Sequence, residues 1–125
     1  MARILSEFHF GQLLIDGKCL DTADRIHGEL AFKLGLPAAY RRNWGDLLNC
    51  LSSIGTARSN LCRHWKWLEG KRLLLSVRDY QVQATDVNIL AAFTQVVSDA
   101  NDRLMKQESL NRIWLELIGS ATHAV

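Results

Sequence analysis

Leu34-Gly35-Leu36-Pro37-Ala38-Ala39-Tyr40-Arg41-Arg42-Asn43-Trp44-Gly45-Asp46-Leu47-Leu48-Asn49-Cys50-Leu51 decides how the chain is read, and it holds the single proline. Leu34 closes an apolar stripe, and Gly35 supplies the residue that turns left-handed just past a helix end. Pro37 stops the helix from resuming and drives Leu36 towards an extended conformation. Asn43 is placed to cap a second helix. From there Trp44, Leu47, Leu48 and Leu51 recur at i, i+3, i+4 and i+7, the spacing of one buried helical face. Arg42, Gly45, Asp46 and Asn49 fall on the opposite face. The stretch therefore predicts a helix end, an ordered loop and a new helix that presents polar groups to a partner.

Outward from this stretch, 125 residues suit one domain over 1–125, with 1–7 and 120–125 expected to fray. An apolar fraction of 48% against 22% charged is globular composition and argues against disorder. The net charge of +2 names no partner, but its distribution is uneven. Between Arg41 and Arg72 seven basic residues face two acids, so that segment is +5 and the remainder −3. Cys19, Cys50 and Cys62 are widely spaced and contain no C-x-x-C pair, which predicts reduced thiols in a cytoplasmic protein. The first ten residues lack a continuous apolar core, so no signal peptide is expected, and no apolar run reaches a membrane span.

Phe8 to Ile15 reads as a strand ending at the turn signal Asp16-Gly17. Asp21 or Thr22 offers a cap for a first helix, in which Ala23, Ile26, Leu30 and Leu34 form the stripe. The second helix is expected to end near Ser52-Ser53 or Gly55. Leu61, Trp65 and Leu68 suggest a short helix before Glu69-Gly70. Leu73 to Val77 is a continuous apolar run, suited to a strand buried on both faces. Thr85 or Asp86 caps a long helix whose stripe is Ile89, Leu90, Phe93, Val96, Val97, Ala100 and Leu104. Ile113 to Ile118 is a last strand, closed by Gly119. Strands separated by helices require crossovers, so the fold class is α/β: a small three-stranded parallel sheet flanked by helices.

Constellations for catalysis are missing. The glycines form no phosphate loop, and neither G-x-S-x-G nor H-E-x-x-H occurs. His9, His27, His64 and His123 are scattered, and Cys62 with His64 alone is a weak metal signal. Cys50 follows Leu47-Leu48 and is expected in or beside the core. No cofactor, metal or enzymatic activity is expected.

The pattern Leu34-x-Leu36-Pro37-x-x-Tyr40-x-x-Asn43-x-x-x-Leu47-x-x-Cys50-Leu51 resembles the barstar family of ribonuclease inhibitors, which act as antitoxin or immunity partners. Ile15-Asp16-Gly17, His27, Leu30 and Arg78 agree with that resemblance, which is firmest from Leu13 to Leu51 and looser from Leu73 to Ile118. It implies a three-stranded parallel sheet flanked by helices, and a loop and second helix that plug a basic ribonuclease cleft. In the family a tyrosine pair, two aspartates one turn apart and a glutamate on the last helix make the contacts. Here the first tyrosine is Ala39, the second is Tyr40, and the following glycine is Arg41. The two aspartates fall at Gly45 and Asn49, and the glutamate at Gln95 or Asp99. Asp46 leaves a carboxylate nearby, but one residue along a helix is a rotation of about 100 degrees.

The leading reading is thus a barstar-like inhibitor or immunity protein that binds a protein, a ribonuclease or toxin, through Tyr40, Arg41, Arg42, Asn43, Asp46 and Asn49. Altered charges on such a face change its partner through new attractions and repulsions. The alternative is a nucleic-acid-binding module, because the basic segment interleaves Trp44, Trp65 and Trp67 with cations. A third is a degenerate family member kept for regulation or oligomerisation.

Overall fold

The computed structural model describes residues 10–53 and 72–119. Strand β1 (Phe10–Asp16), strand β2 (Arg72–Tyr80) and strand β3 (Arg112–Gly119) form one sheet in the order β1-β2-β3. Both pairings are parallel, with Leu13 opposite Leu75 and Leu75 opposite Leu115. Helices α1 (Ala23–Leu34) and α2 (Trp44–Ser52) lie between β1 and β2, and α3 (Val87–Lys106) lies between β2 and β3. Right-handed crossovers between strands in sequential order carry the intervening chain over one face of the sheet.

Burial follows from that topology. Ile15, Leu73, Leu75, Val77 and Ile113 point into the core, where they meet Ile26, Leu30 and Leu34 of α1. Leu47, Cys50 and Leu51 of α2 and Phe93, Val97, Ala100 and Leu104 of α3 complete it. The alternate strand residues face the other way. There Gln12 Nε2 donates to Ser76 Oγ at 3.0 Å, and Ser76 Oγ donates to Glu116 Oε1 at 2.7 Å, a polar chain across all three strands. Leu14 and Trp114 on that face are exposed. The expectation of a middle strand covered on both faces holds for 73–77, where Leu73, Leu75, Ser76 and Val77 are buried and Leu74 is partly so. β2 runs longer than that stretch, and its flanking Arg72, Arg78 and Asp79 are exposed.

Local chemistry sets the boundaries. Thr22 Oγ1 accepts from Arg25 N, so Thr22 rather than Asp21 caps α1. Gly35, at φ 63°, ends the helix, and Leu36 N–H closes back on the Ala31 carbonyl at 3.0 Å. Asp86 rather than Thr85 caps α3, accepting from Asn88 N and Ile89 N. Gly17 opens a 3-10 helix over Gly17–Asp21, where the end of β1 passes close to β2. A Cβ on Gly17 would lie 2.6 Å from the Arg78 carbonyl oxygen, so a side chain there forces the strand ends apart. Opposite this point β2 carries an irregularity between Val77 and Tyr80, with Asp79 at φ 55°. The short helix expected near Leu61 to Leu68, and the fraying expected at 1–7 and 120–125, lie outside the described residues.

Candidate functional site

The loop from Gly35 to Asn43 is pinned at four places. Tyr40 N–H donates to the Pro37 carbonyl at 3.0 Å, closing a turn whose central residues are Ala38 and Ala39. The Tyr40 hydroxyl shares a hydrogen bond with Nδ1 of His27 on α1. Arg42 takes a left-handed backbone, φ 56°, and its guanidinium passes beside Gly28 to pair with Asp24 at 2.9 Å. Asn43 Oδ1 accepts from Asp46 N at 2.7 Å, capping α2 as expected. These contacts tie the loop to both helices that bracket it.

His27 is buried, 1% exposed, and its ring lies 4.3 Å from that of Trp44. Trp44 in turn stacks on Phe93 of α3 at 6.3 Å. Burial pushes the His27 pKa down, and Arg42 adds to this against an opposing pull from Asp24. Burial likewise pushes the Tyr40 hydroxyl well above its ordinary value, helped by Cys50 and Asp46 and opposed by Arg42. His27 is thus a packed histidine with a specific duty to the loop. Tyr40 spends its hydroxyl on that histidine and leaves its ring to shape the surface.

The charged positions are also engaged. Asp46 Oδ2 accepts from Arg41 N at 3.0 Å and from Arg41 Nε at 3.3 Å. The backbone N–H of Arg41 holds the Asp46 carboxyl below its ordinary pKa; desolvation opposes this, and the Arg41 side chain reinforces it. Asn49 Oδ1 accepts from Arg103 Nη1 of α3 at 2.9 Å. Tyr40, Asp46 and Asn49 line a small cavity of about 150 Å³ together with Pro37, Ala39 and Cys50. Arg41, Arg42 and Asn43 lie in the same loop and do not line it. All six expected positions therefore belong to one loop-and-helix surface, with three of them around a shared depression.

Two features escaped the sequence. Arg103 is 54 residues from Asn49, and no local signal links them. The two candidate positions for the last-helix acid also separate in space. Asp99 lines a second cavity, about 220 Å³, with Leu48, Asp102, Arg103 and Lys106, beside α2. Gln95 lines a groove with Val87, Leu90, Ala91, Thr94 and Ser98, although its amide donates to Asp99 at 2.9 Å. Helical periodicity leaves the register open, and the packing of α3 on α2 places Asp99 on the site side. Among the described residues no three His, Cys, Asp or Glu side chains group as a metal site.

A three-stranded parallel sheet with a pinned loop and a short polar-faced helix defines a small α/β protein whose surface groups are held by one another. The chain matches the family model described as Barstar (barnase inhibitor) over residues 10–117, from the first strand to the last. It belongs to the barstar family. That family is one of inhibitors of a ribonuclease, and the structure has its three-stranded parallel α/β architecture. No curated protein matches the chain significantly. No helix among the described residues is long and apolar enough to cross a membrane.

Proposed function

We propose that this chain is a cytoplasmic inhibitor or immunity protein that binds a ribonuclease or nuclease toxin through residues 38–49. The observation that carries this reading is the pinning of the loop between α1 and α2 by His27, Asp24, Asp46 and the Asn43 cap. A surface ordered before the partner arrives loses little conformational entropy on binding, and more of the contact energy appears as affinity. Arg41, Asp46 and Asn49 are the contact groups. Tyr40, Arg42 and Asn43 hold the loop in shape and add their accessible edges.

The charge pattern says what the partner face is not. Arg41 and Arg42 stand beside the site, and both family aspartate positions lack a carboxylate. Reversing both charges, Arg41→Glu with Arg42→Glu, should abolish capture of the native partner from its own cell. Unchanged capture by a folded double variant refutes this surface. The nucleic-acid reading is less favoured, because Trp44 packs against His27 and Phe93 and is not offered for base stacking. It would be revived by salt-sensitive binding to single-stranded RNA.

A further inference from the structure

Arg103 makes an unusual choice of partner. It sits four residues after Asp99 on the same helix, a spacing that allows an ion pair. Its guanidinium instead crosses to α2 and donates to the neutral amide oxygen of Asn49 at 2.9 Å. Among the described residues the ion pairs are Arg25–Asp21, Arg41–Asp46 and Arg42–Asp24, and Arg103 joins none of them. It is exposed, and it spans the two cavities: Asn49 lines one, and Arg103 itself lines the other. The nearby carboxylates are otherwise engaged in part, Asp46 by Arg41 and Asp99 by the Gln95 amide. Asp102 and Lys106 share the second cavity and are of opposite sign. The result is a cation held in place by a hydrogen bond to a neutral amide, at the Asn49 edge of the surface assigned to the partner.

We propose that Arg103, held by Asn49, sets the charge specificity of this face: it turns away a phosphate-binding cleft and selects a partner surface that presents a carboxylate. This rests on the reading of residues 38–49 as the partner surface and names the chemistry of what docks there. A ribonuclease cleft must neutralise phosphates and is therefore cationic. A fixed guanidinium facing such a cleft is repelled, whereas a carboxylate meets an exposed planar donor already held by Asn49. The nuclease is accordingly engaged through an acidic patch outside its phosphate-binding groove.

Barnase, the ribonuclease in the family's description, is the probe. Its RNA cleavage would be measured with the wild-type chain, Asn49→Asp, Arg103→Glu and the double variant, each checked by thermal melting. The expected result is no inhibition by wild type and little by Asn49→Asp, because Arg103 pairs with the new carboxylate. The double variant should bind barnase roughly 10-fold or more tightly than Asn49→Asp, by a margin that shrinks as salt is raised. Strong inhibition by wild type overturns the proposal. So does equal behaviour with Arg or Glu at 103, including no inhibition by either. Failure here leaves the surface assignment to its own test, the Arg41 and Arg42 reversal, which does not touch residue 103.

Discussion

At the scale of single residues, His27 carries the most consequence for the least exposure. It packs on Trp44, bonds the Tyr40 hydroxyl and lies close enough to Arg42 to feel its charge. Its folded pKa lies below the ordinary 6.5, so the unfolded chain takes the proton more readily. The sign follows: the His27 contribution to stability is complete above about pH 6.5 and is lost as pH falls below that value towards the folded pKa. Asp46, also depressed, loses its own contribution only in the carboxylate range, below its ordinary 3.8. Urea unfolding from pH 8 to pH 5 should show wild-type stability falling on the acid side, with His27→Gln losing much of that slope. Parallel curves would remove His27 from the account. In the sequence His27 directly follows Ile26 of the helix stripe, and no local pattern marks Tyr40, 13 residues further on, as its partner.

Elements are set largely by their ends. The second helix exists where it does because Asn43 caps it, and the loop before it is tight because Gly35 adopts φ 63°. Asn43→Ala should cost about 1 kcal/mol in chemical denaturation, while Asn43→Asp should retain most of the stability, since its carboxylate also accepts from Asp46 N. A loss as large for Asp as for Ala would mean that the Asn43 amide does something other than cap. These features were legible because caps and C-terminal glycines act within a turn of chain. The buried face of α2 was legible with one adjustment. Leu47 and Leu51 are fully buried as the i, i+4 spacing requires, Cys50 joins them, and Trp44 and Leu48 are only partly covered. The core reaches α2 from the α3 side as well, which rotates the buried stripe.

For the whole molecule, α3 is the element that joins the sheet, α2 and the site. Phe93 is fully buried and stacks on Trp44, which touches His27, so one aromatic series runs from the core to the loop. Phe93→Ala should lower stability by about 3–5 kcal/mol, a large share of the total for a domain of this size. Trp44 lies in the same packed series, so near-ultraviolet circular dichroism should change with it. A loss under 1 kcal/mol would show that the site does not depend on this packing. Arg103 and Asp99 reach the α2 side from the same helix, so the partner surface is a product of helix packing as much as of the loop.

The sequence by itself determined the sheet-and-helix order, the capped loop, the core stripes and membership in an inhibitor family. The first three depend on periodicity, turn chemistry and capping, which operate over a few residues, whereas the family was legible through the resemblance carried by the Leu34 to Leu51 pattern. It also placed all six candidate contact residues in one continuous stretch, which made their proximity predictable. Tertiary structure alone decided what those residues hold. Arg42 reaches Asp24 on α1, Tyr40 reaches His27, and Asn49 receives Arg103 from 54 residues away. Such pairings arise when helices settle on a common sheet face, because side-chain hydrogen bonds need positions fixed to within a few tenths of an ångström. No local pattern encodes that, and it is what converts a run of exposed polar residues into a surface of defined charge.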